Sequence, residues 1–149
     1  EVIKFGNGTN SFDLWFYGNN ATDYLLWDAS ANSLAPVGNA SIRMKAITDP
    51  GNAGAISNVA SGYVPIVTAA AETRTLDLPS FIGQELLIYM KTDMGNGVLT
   101  VTGAVNEAGN NTVTFSNTGE TIRLIGVEQG AGLVWRAAVA DPATILSTV

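Results

Sequence analysis

The sequence predicts an all-β protein: an antiparallel β-sandwich or jelly-roll-like domain preceded by an N-terminal β-hairpin module. Short runs rich in branched and aromatic residues recur at intervals of roughly 8–12 residues. Turns rich in Gly and Asn separate them. Helical signal is thin, because Ala69–Glu72, Ser80–Ile82 and Pro142–Leu146 each have room for one turn and none for a packed helix.

Val2–Phe5 reads as a short first strand, closed by Gly6-Asn7-Gly8. The stretch Phe12–Leu34 follows, and the rest of the chain, or a neighbouring copy, is expected to pack on it. Within it, Asp13–Tyr17 and Asp23–Asp28 are dense in strand formers, and Gly18–Thr22 lies between them. Aromatic and branched side chains suit a pleated, half-buried surface, while Gly and Asn tolerate the backbone of a tight reversal. The stretch therefore reads as a β-hairpin with a loop of about five residues. Asp28–Ser33 turns the chain into Leu34–Val37. Ala40–Ile47 then alternates apolar and polar, the period of a half-buried strand. In Asp49-Pro50-Gly51 proline presets φ and glycine supplies the opposite sign, so a turn is expected there.

Residues 51–61, rich in Gly, Ala, Asn and Ser, read as a linker between a hairpin module, 1–48, and a C-terminal antiparallel β domain, 62–149. That domain opens with Tyr63–Val67, whose Pro65 suits an edge strand or a strand start. Thr73–Leu78 comes next and stops at Pro79. Gln84–Lys91 runs into Asp93–Gly97, read as a hairpin turn, with Val98–Thr102 pairing back. Thr112–Phe115 and Glu120–Val127 follow, and Gly130-Ala131-Gly132 turns the chain into Leu133–Val139.

Composition narrows the function classes. Apolar residues make up 46% of the 149, enough for a core, but charged residues only 13%, about half the usual share. Two explanations stand: subunits cover part of the surface, or Asn, Ser and Thr replace charge. The net charge of −6 opposes nucleic-acid binding, which needs a basic patch. No window approaches the roughly 18 apolar residues of a membrane helix. Glu1 is followed by no charged n-region and apolar core, so no signal peptide is read; the missing initiator Met fits processing, a tag or a propeptide. There is no Cys, hence no disulfide or thiolate site, and no His, which removes the commonest general base and zinc ligand.

Each candidate for chemistry has a plainer reading. Asp28-x-Ser30-x-Asn32 begins like a calcium loop, but Ser33 and Asn39 stand where that loop needs Gly and Glu. An Asx-type turn is expected instead. Asp23 and Asp28, five apart on a strand, point to opposite faces and are no catalytic pair. Trp15, Trp27 and Trp135 with Tyr17 and Tyr24 offer an aromatic platform for sugar rings, although large aromatics on strands more often serve cores and interfaces. The sequons at Asn7, Asn20, Asn39 and Asn110 read as turn chemistry. No nucleophile elbow and no phosphate-cradling loop occurs. No catalytic, cofactor or metal residue is assigned.

Phe5-Gly-Asn-Gly-Thr-Asn-Ser-Phe-Asp-Leu14 and Asp23-Tyr-Leu-Leu-Trp-Asp-Ala-Ser-Ala-Asn-Ser-Leu34 resemble a module recurrent in structural proteins of tailed bacteriophages. The C-terminal run is similar to virion β domains at Gly83–Leu86, the Gly95-Asn96-Gly97 turn, Asn111–Phe115, Gly119–Gly126 and Leu133–Arg136. The resemblance implies a virion structural protein, most like a capsid decoration (cement) protein on the capsid exterior. Such a protein is no enzyme, uses no cofactor, binds neither nucleic acid nor membrane, and has the major capsid protein and its own copies, as a homotrimer, for partners. The expected subunit-interface residues are Phe12, Trp15, Tyr17, Tyr24 and Trp27, since a lone hairpin cannot bury both faces. The alternative is a head-fibre or tail module that recognises host glycans.

Overall fold

The computed structural model describes residues 13–31, 33–39, 43–106, 108–140 and 145–147. Among these there are thirteen strands and no helix, so the protein is all-β. The chain divides into two compact units, Glu1–Arg43 and Met44–Val149.

The first unit holds β1 (Leu14–Tyr17), β2 (Tyr24–Asp28) and β3 (Ser33–Val37). They form an antiparallel three-stranded sheet in the order β1-β2-β3. The expected hairpin is there, and the segment after it returns as a third strand. The strand expected at Val2–Phe5 lies outside the described residues.

The second unit holds β4 (Lys45–Ala46), β5 (Gly54–Ile56), β6 (Gly62–Val67), β7 (Glu72–Leu76), β8 (Glu85–Thr92), β9 (Gly97–Val101), β10 (Thr112–Phe115), β11 (Thr121–Gln129), β12 (Gly132–Ala140) and β13 (Ile145–Ser147). They make two five-stranded sheets, β12-β11-β8-β6-β4 and β13-β10-β9-β7-β5. Strands β6, β8, β9 and β11 alternate buried and less buried positions. One core takes the inward row of both sheets: Val64, Ile66, Leu86, Ile88, Met90, Ile122, Leu124 and Trp135 from the first, Ile56, Leu76, Leu99, Val101, Val113 and Phe115 from the second. Each such side chain contributes about 1.5–3 kcal/mol when fully buried. This is a sandwich-like arrangement.

The pairing differs from the all-antiparallel expectation. From β4 to β9 the chain crosses to the other sheet at every connection, so strands two apart in sequence become neighbours. The ladders β4·β6, β5·β7, β6·β8 and β7·β9 are parallel. Antiparallel pairing begins only with β10 on β9, β11 on β8, β12 on β11 and β13 on β10.

Two expectations are corrected here. Asp93–Gly97 is not a hairpin turn, because β8 and β9 lie in different sheets. It is an arch between the sheets, stacked on the preceding arch at 68–71. Thr68, buried, receives the Met94 N–H at its Oγ1 and donates to the Gly95 carbonyl. A Cβ on Gly95 would lie 2.4 Å from the carbonyl carbon of Ala70, so only glycine allows this stacking. Residues 51–61 are not a bare linker either, since they carry β5. The division between units falls after Arg43 rather than at 48. Of the strand expected at Ala40–Ile47, Lys45–Ala46 is strand and 40–42 lie outside the described residues. Ile145 and Leu146, from the Pro142–Leu146 stretch that had room for one helical turn, are strand instead, in β13.

Pro65 shows how the edge of β6 is finished. The Ile47 N–H donates to the Tyr63 carbonyl, so alternate residues of β6 turn their polar groups toward β4. β4 ends there, and Pro65 has no N–H to leave unpaired. Two residues on, the Val67 N–H donates to Asp49 Oδ2. Asp49 also accepts the Gly51 N–H, as the Asp-Pro-Gly turn required.

Asp49 has a further partner inside the unit. Arg74, buried, donates through Nε and Nη2 to the two Asp49 carboxylate oxygens at 2.9 and 3.0 Å, and through Nη2 to the Val67 carbonyl. Its Nη1 stands 2.8 Å from Glu72 Oε2 as an ion pair without hydrogen-bond alignment. Burial works to raise the Asp49 carboxyl, but the bonds from Arg74 and from the Val67 and Gly51 amides outweigh it and hold the group below its usual range. The Ala69 amide, then Arg74, lowers the Glu72 carboxyl.

Candidate functional site

The first unit is a small sheet with apolar side chains on both faces. The register sets Leu14 opposite Trp27, Trp15 opposite Leu26, Phe16 opposite Leu25 and Tyr17 opposite Tyr24. On the other side Tyr24 faces Val37, Leu26 faces Ala35 and Trp27 faces Leu34. Alternation then sorts the residues. Trp15, Tyr17, Tyr24, Leu26, Ala35 and Val37 share one face. Leu14, Phe16, Leu25, Trp27, Leu34 and Pro36 share the other.

Turn chemistry holds the strands in this register. The Gly18 N–H donates to the Asp23 carbonyl and the Asp23 N–H to the Asn20 carbonyl, closing the β1–β2 loop. Asp28 Oδ1 accepts the Ser30 hydroxyl at 2.6 Å and the Ser30 and Ala31 amides, so the Asx-type turn expected there is present. The Ser30 hydroxyl, followed by the Ala31 amide, lowers the Asp28 carboxyl. Asp13 accepts the Ala29 N–H, and Asp23 accepts the Asn39 N–H across the end of β3. Gly38, at φ +69, sits where a Cβ would lie 2.4 Å from that Asp23 carboxylate oxygen.

The two faces differ in how their rings are used. Trp15 and Tyr24 are stacked, with centroids 4.8 Å apart and planes 8° off parallel. Tyr17 tilts against both, at 5.9 and 5.4 Å. These ring contacts lie within the sheet, yet Trp15 stays 44% and Tyr17 56% exposed. On the opposite face Phe16 is 56% exposed, Trp27 41% and Leu34 51%, and among the described residues neither aromatic has a ring partner. Apolar area exposed in this way suits a contact with another surface.

The five residues expected at a subunit contact are thus divided. Trp15, Tyr17 and Tyr24 come together on one face, and Trp27 stands on the other. Phe12 lies outside the described residues. Phe16 and Leu34, which sequence reasoning passed over, join Trp27; the cross-strand register is what brings the three onto one face. Trp135, a candidate for the aromatic platform, belongs to the core of the second unit and donates its Nε1–H to the Asp77 carbonyl at 2.7 Å.

Among the described residues no group of three acidic side chains is placed to hold a metal ion, and no helix is long and apolar enough to cross a membrane. No protein-family model matches the chain, and no curated protein matches it.

Proposed function

We propose that this chain is a non-enzymatic capsid decoration protein of a tailed bacteriophage. It binds the outer surface of the capsid as a homotrimer and stabilises contacts between major coat subunits. The observation that carries this reading is the first unit's sheet, apolar on both faces, with Phe16, Trp27 and Leu34 exposed together. A three-stranded sheet of this size gains stability from a surface laid against it. The motifs at 5–14 and 23–34 supply the phage assignment.

The test is copy number. Quantitative mass spectrometry of purified virions, referenced to the major coat protein, is expected to find this chain in numbers comparable to the coat subunits. Its absence from virions would overturn the reading.

A second reading has an observation of its own. The Trp15–Tyr17–Tyr24 cluster, with Trp15 and Tyr17 exposed and Tyr24 half-buried, offers ring faces of the kind that pack on sugars, as a host-glycan receptor module would need. A few copies per virion, together with glycan-array binding abolished by Trp15→Ala, would favour that reading over decoration.

A further inference from the structure

Strand β12 is the outermost strand of the sheet β12-β11-β8-β6-β4 and runs for nine residues. One row of its amides and carbonyls pairs with β11. The other row faces outward and belongs to Leu133, Trp135 and Ala137. The assignment follows from Gly126, which stands opposite Trp135, donates its N–H to the Gln84 carbonyl and accepts the Gly83 N–H, both on the side away from β12. In an antiparallel pair the residue opposite then turns its own groups outward, and alternation extends this to positions two apart. An outward row of this length is a template for a strand from another molecule.

Three features interrupt the row. The Ala137 N–H donates to Asn106 Oδ1 at 2.9 Å, and Asn106 Nδ2 lies 3.5 Å from the Ala137 carbonyl oxygen. One side-chain amide thereby offers an acceptor and a donor to the same residue, as a neighbouring strand would. Asn106 adopts φ +64, a conformation that Asn tolerates better than most residues. Its loop is fixed from beneath, since Val105 is buried and donates its N–H to the Asn110 carbonyl. Ala138 is the extra residue of a bulge, because Leu124 pairs with Ala137 and Arg123 with Val139; bulges end regular pairing. Arg136, tied to Gln129, brings Nη1 within 3.5 Å of the Trp135 carbonyl.

We propose that Asn106 guards this edge: by holding the Ala137 N–H and carbonyl, it keeps β12 from pairing with the β12 of a second copy of this chain. The second copy is the partner to exclude for two reasons. Antiparallel pairing of identical strands is a closed two-fold contact. Arg136 is the only charged residue in β12, so little like-charge repulsion protects the edge. The inference stands apart from the capsid reading.

Amide hydrogen exchange and sedimentation velocity test it on the full chain. In the natural protein the Ala137 amide is expected to exchange more slowly than those of Leu133 and Trp135. Asn106→Gly keeps the backbone conformation and removes the amide. It is expected to speed Ala137 exchange roughly fivefold to tenfold, the worth of one hydrogen bond, and to produce association that grows with concentration. Asn106→Ser, whose hydroxyl cannot span both groups, carries the same expectation if the glycine variant fails to fold. An unprotected Ala137 amide in the natural protein overturns the proposal. So does a folded variant with Ala137 released that associates no more than the natural chain.

Discussion

Arg74 shows what one residue contributes to the second unit. It sits on β7 inside the sandwich, and its guanidinium meets Asp49, Glu72 and the Val67 carbonyl. These contacts fix the Asp-Pro-Gly turn and the arch at 68–71 to each other. Replacing Arg74 with Met leaves a partly buried carboxylate at Asp49 without its cation. Such a loss typically costs about 3–5 kcal/mol, and urea denaturation at neutral pH is expected to show it. The same carboxylates set an acid limit. Both are lowered in the fold from ordinary values of 3.8 for Asp49 and 4.5 for Glu72. The unfolded chain therefore takes up these protons first as pH falls, and the folded state loses the advantage. Stability is expected to hold above the higher of these values and to fall as pH passes down through them. In Arg74→Met the fall should be shallower, and an equally steep acid transition would remove the ion pair as its cause.

At the scale of elements, alternation in β1–β3 gives its two faces different work. Trp15→Ala removes two ring contacts from within the sheet. Each is worth about 0.5–1.5 kcal/mol beyond area, so loosened amide protection across β1 and β2 is expected. Trp27→Ala removes no ring contact among the described residues, should leave that protection intact and, if the proposed decoration role holds, should weaken capsid binding about tenfold or more, as loss of a central anchor does. A Trp27→Ala protein that binds particles normally would exclude this face from the contact. Much of this unit was legible in sequence, because local turn chemistry and two aromatic runs decide a hairpin. The division of its aromatics between faces needed the register. At the arches legibility failed. Asp93–Gly97 reverses the chain in an arch as readily as in a hairpin, and composition alone does not say which sheet receives the next strand. The Asp49–Arg74 pair was hidden for a related reason, since its partners are separated by a whole sheet-to-sheet excursion.

For the whole molecule, the buried core residues among those described, from Ile47 to Trp135, all belong to the second unit. Residues 44–149 expressed alone are therefore expected to fold, with a near-ultraviolet signal from buried Trp135 and cooperative thermal unfolding. A molten fragment would show that the second unit depends on the first. The sequence by itself determined the all-β class, the N-terminal hairpin and most strand positions, because the period-two burial of Val, Ile, Leu and aromatic residues and the Gly/Asn turns act over a few residues. The tertiary structure alone decided the parallel winding of β4 to β9, the burial of Arg74, the faces of the aromatic residues and the capping of β12 by Asn106. These depend on which distant backbone lies alongside, and hydrogen-bond pairing between strands is settled by that proximity rather than by the identity of either strand.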